Sequence, residues 1–176
     1  MNAGALQAGS GSVGTVTTDW SVAGTGDFNG DNKGDVLWRN TTNGQVAIWL
    51  MNGTTILPGS GSPGTVTTDW IIAGTGDFDG DGNSDILWRN TTSGQVAMWF
   101  MNGTTVSGGG SPGSVPTIWT IAETGDFNGD GKSDLFWRDS SGNTAVWLMN
   151  GATILPASAG LGNVPLVWTV QGSNAD

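Results

Sequence analysis

Apolar and polar positions along this chain follow short strand-like runs separated by turn signals. Residues 45–51 alternate strictly, with Val46, Ile48 and Leu50 on one face and Ala47, Trp49 and Met51 on the other, a period of two that predicts a β-strand. Residues 20–25 (W-S-V-A-G-T) and 36–40 (V-L-W-R-N) are apolar and β-branched and predict two more strands. Asn-Gly pairs at 43–44 and 52–53 mark hairpin turns. A fourth strand is expected over residues 54–57, followed by a Gly/Ser/Pro-rich link that crosses to the next unit.

The pattern recurs. Trp20, Trp70, Trp119 and Trp168 stand 50, 49 and 49 residues apart, and Trp38, Trp88, Trp137 and Trp49, Trp99, Trp147 mark two further repeated positions. Met1-Asn2 aligns with Met51-Asn52, Met101-Asn102 and Met149-Asn150. The chain therefore reads as one repeat domain over 1–176, with periods 1–50, 51–100 and 101–148 and an overhang at 149–176 that duplicates the opening segment. A four-stranded antiparallel sheet returning at this interval is the signature of a β-propeller blade, so the expected fold is all-β. Strands apolar on both faces fit blades stacked between neighbours.

Between the first two strands of every repeat lies a nine-residue loop: D-F-N-G-D-N-K-G-D at 27–35, D-F-D-G-D-G-N-S-D at 77–85 and D-F-N-G-D-G-K-S-D at 126–134. Oxygen-bearing side chains at positions 1, 3, 5 and 9 around a glycine are what a hard cation needs, since calcium takes six to eight oxygens. The expected side-chain ligands are Asp27, Asn29, Asp31 and Asp35; Asp77, Asp79, Asp81 and Asp85; and Asp126, Asn128, Asp130 and Asp134. The backbone carbonyls of Lys33, Asn83 and Lys132 at position 7 would complete the shells. An EF-hand needs a bidentate Glu at position 12, where these repeats have Trp38, Trp88 and Trp137. About three Ca²⁺ per chain are expected, held tightest in the second loop, which has one more carboxylate than the others. Magnesium suits an all-protein cage less well.

Composition sharpens this reading. The formal charge is −10, and ten of the fifteen acidic residues lie in the three loops, so the acidity belongs to cation sites and not to a general acidic surface. Five Lys and Arg form no patch, which argues against a nucleic-acid partner. No run approaches the roughly 18 apolar residues of a membrane span, so no membrane insertion is expected. The opening M-N-A-G-A-L-Q-A-G lacks the basic and apolar regions of a signal peptide. With no Cys and no His, common catalytic triads and dyads are absent. Glu123 stands alone where the other repeats have Gly24 and Gly74, and no enzymatic activity is expected.

The run W-x-x-A-G-T-G-D-F-[N/D]-G-D-G-x-S-D-[I/L]-[L/F]-W-R resembles the FG-GAP or VCBS repeat, carried by integrin α-subunit heads and several fungal and bacterial lectins. The resemblance covers essentially the whole chain. It implies a calcium-binding blade of a propeller that is commonly seven-bladed, and three repeats cannot close such a ring. It also brings carbohydrate or a cell-surface ligand into view as a partner. Trp20, Trp70 and Trp119, which open strand one near an edge, are the candidate binding residues; Trp38 and Trp49 fit core positions better. Arg39, Arg89 and Arg138 follow a core Trp and either pack over an indole at a blade junction or touch a ligand. The sequons at Asn40 and Asn90 fall in hairpin turns and are read as incidental. The expectation is a secreted, non-enzymatic recognition or adhesion module with structural calcium. The alternatives are a homo-oligomer that assembles by blade completion through the overhang, and an accessory segment of a larger secreted enzyme.

Overall fold

Apolar residues on both faces of a strand require cover on both faces, and the architecture supplies it. The computed structural model describes residues 11–171. Met1-Asn2 and the end of the overhang, both used to set the repeat boundaries, lie outside the described residues. Within them every regular element is a strand. The first sheet comprises β1 (Trp20–Gly26), β2 (Asp35–Asn40), β3 (Gln45–Trp49) and, after the two-residue pair β4 (Met51–Asn52) and β5 (Thr55–Ile56), β6 (Gly61–Thr65). The second consists of β7 (Trp70–Gly76), β8 (Asp85–Asn90), β9 (Gln95–Asn102) and β10 (Thr105–Ser114). The third has β11 (Trp119–Gly125), β12 (Asp134–Asp139), β13 (Asn143–Trp147) and, after the separate pair β14 (Met149–Asn150) and β15 (Thr153–Ile154), β16 (Ala159–Asn163). All pairings are antiparallel, and each sheet is an up-and-down meander.

The first three strands of each repeat lie where the hydrophobic pattern puts them. The fourth does not. Residues 54–57 do not form the outer strand: Thr55–Ile56 folds back on Met51–Asn52, and the outer strand is the Gly/Ser/Pro segment expected to be a mere crossover. Two side chains redirect the backbone. The Leu50 amide donates to Ser60 Oγ (2.9 Å) and Ser60 Oγ donates to Leu57 O (2.8 Å), closing a small loop after β3. The chain then returns along β3, where Ser62 Oγ donates to Val46 O (2.5 Å). An edge strand needs only its backbone bonds and tolerates Pro63, whose missing N–H costs nothing on the open side. In the second repeat, hairpin and outer strand merge into the single bulged β10.

Two cores lie between successive sheets. Phe28, Leu37, Val46 and Ile48 of the first sheet pack on Ile86, Trp88 and Met101 of the second. Phe78, Leu87, Val96 and Met98 of the second pack on Leu135, Trp137 and Met149 of the third. Every residue of β8 is buried because the middle sheet is covered on both sides. Each buried Phe or Leu contributes about 1.5–3 kcal/mol of transfer free energy. The first strands also meet directly: Thr75 Oγ1 donates to Thr25 O and Thr124 Oγ1 to Thr75 O, both 2.8 Å. This approach leaves little room for a side chain on the preceding strand. A Cβ at Gly24 would stand 3.1 Å from Thr75 Cγ2, and one at Gly74 3.0 Å from Thr124 Cγ2. Glu123 occupies the equivalent place on β11.

Candidate metal sites and inter-sheet clefts

A bulge in the first strand of each sheet, between Val22 and Gly24, Ile72 and Gly74, and Ile121 and Glu123, precedes the nine-residue loop. Such bulges bend the strand and increase its twist. The loop then joins strands one and two as a hairpin. Its glycines at position 4 have positive φ (Gly30 71°, Gly80 83°, Gly129 78°), as do Gly82 (88°) and Gly131 (83°) at position 6. Asn32 (61°) takes that place in the first loop and is the sole non-glycine with positive φ among the described residues. Asn tolerates this region best after Gly.

Within each loop the carboxylates are held by backbone amides. Asp77 Oδ1 accepts from Gly80 N (2.6 Å) and Asp81 N (3.2 Å), and its Oδ2 from Gly82 N (2.8 Å). Asp79 Oδ1 accepts from Asp81 N (3.1 Å), and Asp81 Oδ1 from Asn83 N (2.8 Å). Asp126 is held the same way, and Asp27 by the Asp31 and Asn32 amides. These bonds fix each oxygen and leave lone pairs free.

The ninth-position Asp has a role that sequence reasoning missed. Asp85 is 0% exposed; its Oδ2 accepts from Phe78 N and its Oδ1 from Met101 N, both 2.9 Å. Asp35 accepts from Phe28 N and Met51 N, and Asp134 from Phe127 N and Met149 N. The residue thus ties the loop to the turn after strand three. Its side-chain type marks it as an oxygen donor, but the two amides it serves lie seven residues before it and fifteen or sixteen after.

Burial sets the electrostatics. Desolvation pushes the Asp85 carboxyl up to about 7; the Met101 and Phe78 amides pull it down, and the Asp79 and Asp77 charges add to the rise. Asp35, Asp79 and Asp134 are raised for the same leading reason. Asp31 is lowered, chiefly by the hydrogen bond from Lys33, whose Nζ lies 2.9 Å from Asp31 Oδ2. Asp126 is lowered by its backbone amides, that of Gly131 first. One ligand atom from each of Asp77, Asp79 and Asp85 falls within 4.8 Å of the others, so this group can hold a metal ion. The hard oxygen donors fit calcium, which would supply the positive charge that a buried carboxylate beside two others lacks.

The Arg candidates are placed at the sheet junctions. Arg39 and Arg89 are 8% and 6% exposed. The Arg39 guanidinium donates to the carbonyls of Gly44, Val66, Thr67 and Trp70 and lies 5.0 Å from the Trp88 ring of the next sheet. Arg89 repeats this over Trp137 at 5.1 Å. Arg138 donates to Val164 and Pro165 carbonyls. Of the tryptophans, Trp88 and Trp137 are core. Trp70 and Trp119 are half-buried, and each lines one of two equivalent clefts between sheets, about 410 and 420 Å³. One cleft has walls from Val22, Ala23, Ile72 and Trp70, the other from Ile72, Ala73, Ile121 and Trp119. Trp20 is half-buried at the start of β1. Asn40 and Asn90 are buried and donate to Asp19 and Asp69, which leaves the sequons closed.

A family model described as FG-GAP-like repeat matches residues 27–88 and 77–137. The chain belongs to the FG-GAP-like repeat family. The two matched FG-GAP-like segments overlap at the 77–85 loop and together take in all three loops. A comparison with curated proteins finds no match. Among the described residues of this FG-GAP-like chain, no helix is long and apolar enough to cross a membrane.

Proposed function

We propose that the chain is a secreted, non-enzymatic recognition module of propeller type, with calcium in its three loops holding successive blades together. The observation that carries this reading is the convergence of Asp77, Asp79 and Asp85 around a carboxylate that is fully buried and, among the described residues, has no ion-pair partner. The same backbone frame at 27–35 and 126–134 extends it to the other loops, with Asn29 and Asn128 contributing amide oxygens. Face-to-face sheets with adjacent first strands support the blade arrangement. Calcium stabilises here by mass action: at a hundred times Kd each site adds about 2.7 kcal/mol. Melting temperature in calcium and in chelator tests the reading, and equal values in both would overturn it.

The two equivalent clefts are the proposed recognition sites, with Trp70 and Trp119 as walls against which a sugar ring or another flat group of a cell-surface ligand can stack. Repetition suits multivalent, avid binding. Glycan-array signal that needs calcium and is lost in Trp70→Ala/Trp119→Ala is expected; no signal at high protein concentration removes the lectin reading.

A second reading, assembly with another copy, is favoured by the outer face of the third sheet. Phe127 is 48% exposed, whereas its counterparts Phe28 and Phe78 are 0% exposed beneath the following sheet. Light scattering decides it, because a monomer in calcium would exclude the assembly.

A further inference from the structure

The loops do not lie apart from one another. The Asp27 carbonyl accepts from the Ser84 amide and the Asp77 carbonyl from the Ser133 amide, both at 2.6 Å. Residue 84 sits between Asn83, whose carbonyl is an expected ligand, and Asp85. Its partner Asp27 opens the preceding loop. A second strap runs in parallel: Asp85 Oδ1 fixes the Met101 amide, and Gly103 N, two residues on, donates to Phe28 O at 2.7 Å. Asp134, Met149 and Gly151 repeat it onto Phe78 O, where the last bond is 2.9 Å. Position 7 reaches back as well. The Asn83 amide oxygen lies 3.1 Å from where a Cβ would stand at Gly30, and Lys132 Cε 3.1 Å from the same point at Gly80. The approach is close enough that Gly26 has no room for a side chain: a Cβ there would stand 2.6 Å from Ser84 Cβ, and one at Gly76 2.8 Å from Ser133 Cβ.

We propose that the three loops fill as a coupled row, in which cation binding at 77–85 tightens binding at 27–35 through the Ser84 amide, and binding at 126–134 tightens 77–85 through the Ser133 amide. The inference rests on the calcium reading above. Ordering the 83–85 segment around an ion holds the Ser84 N–H and the Met101 turn in place, so the preceding loop has less freedom to lose when it binds. Coupling is reciprocal by linkage. Two dications in neighbouring loops repel, so positive coupling is the mark of the peptide link and not of charge. Ser84, Ser133, Gly26 and Gly76 are thereby positioning residues.

The test is a calcium titration of the full chain followed by heteronuclear NMR, with the amides of Asn32, Gly82 and Gly131 reporting their own loops. Asp79→Ala, whose side chain hydrogen-bonds within its own loop, is expected to weaken calcium at the first loop by at least about fivefold. Gly26→Ala, which breaks the same link, is expected to weaken the first loop and, by reciprocity, the second, while the third loop keeps its affinity. Gly26→Ala/Ser84→Gly removes the offending Cβ, as Gly34 already does at the same position of the first loop, and is expected to restore the first loop. A first loop indifferent to both Asp79→Ala and Gly26→Ala would overturn the coupling and leave the calcium reading standing. No amide responding to calcium would overturn both.

Discussion

The loops at 27–35 and 77–85 share one backbone course and differ at four positions: Asn29 against Asp79, Asn32 against Gly82, Lys33 against Asn83, and Gly34 against Ser84. The first loop carries its own cation, with Lys33 seated on Asp31. The second has no such cation and gathers three carboxylates, one of them driven up to about 7 by burial. An acidic loop of the first kind is partly neutralised by its own side chain; one of the second kind is relieved by a proton on Asp85 or by a cation. The difference teaches that the number of acids alone does not rank these sites, because placement and internal partners change what each acid can offer.

The largest expected effect concerns what the loops share. Asp85→Ala leaves the Phe78 and Met101 amides without partners in a buried site. At about 1–3 kcal/mol for each orphaned donor, the loss is about 2–6 kcal/mol. Asp35→Ala removes the same two bonds from the first loop. Urea unfolding in chelator measures both without contribution from calcium. A loss under about 1 kcal/mol for Asp85→Ala would show that its bonds to the backbone are not what holds the loop.

The pH dependence separates the buried ninth-position carboxylates from the exposed ones next. The folded pKa of Asp85 lies above the unfolded carboxylate value, so the folded state binds the proton more tightly. Its contribution to stability is present below about pH 4 and is lost as pH rises through about 7. Asp31 and Asp126 are shifted down, and their contribution is lost only as pH falls below the ordinary carboxylate range. In chelator, the urea midpoint is therefore expected to fall between about pH 4 and about pH 7. Calcium should reverse the trend, since the ion binds the ionised carboxylate. A flat profile in chelator would show that burial does not raise the ninth-position carboxylates Asp35, Asp85 and Asp134.

Lys33 gives a smaller, sharper test. Lys33→Asn gives the first loop the position-7 residue of the second and frees Asp31 from its ammonium. Calcium affinity at the first loop is expected to rise about fivefold, the effect of removing one nearby positive charge at a solvent-exposed site. Calorimetry on the full chain reads it, and an unchanged affinity would show that the Lys33–Asp31 pair opens without cost when the ion arrives.

How far these features were legible follows from their physics. β1–β3 and their counterparts were read because alternation and apolar runs report burial directly, and the place of the loops between strands one and two because clustered Asp, Asn and Gly interrupt the apolar pattern. The outer strands were not, because Gly61–Thr65 is held by its backbone and by Ser62 Oγ, neither of which leaves a hydrophobic pattern. Nor was the second duty of Asp35, Asp85 and Asp134, since the amides they bind lie far along the chain. Glu123 marks a place where a signal was present but ambiguous. Gly24 and Gly74 leave room for Thr75 and Thr124 of the following sheet, and the departure from glycine falls on the sheet whose outer face is exposed at Phe127. The inter-sheet link through Ser84 and Ser133 was written in the G-x-G-D and S-D flanks, but an amide bonded to a carbonyl carries no side-chain signature.

The smallest difference between the loops is conformational. Gly82 has φ 88° and Asn32 φ 61°, so both occupy the left-handed region, where a Cβ costs about 1–2 kcal/mol for an ordinary residue. A Cβ at Gly82 meets nothing within 4 Å, so Gly82→Ala tests the backbone alone, and a loss of about 1–2 kcal/mol in urea unfolding is expected. Asn32→Gly exchanges a tolerated left-handed Asn for a residue without strain but with more freedom when unfolded, two effects of opposite sign that should leave stability within about 0.5 kcal/mol. If Asn32→Gly instead stabilises by as much as Gly82→Ala destabilises, the first loop is strained where the second is relaxed. A lower calcium affinity at the first loop would then be traced to its backbone as well as to Lys33.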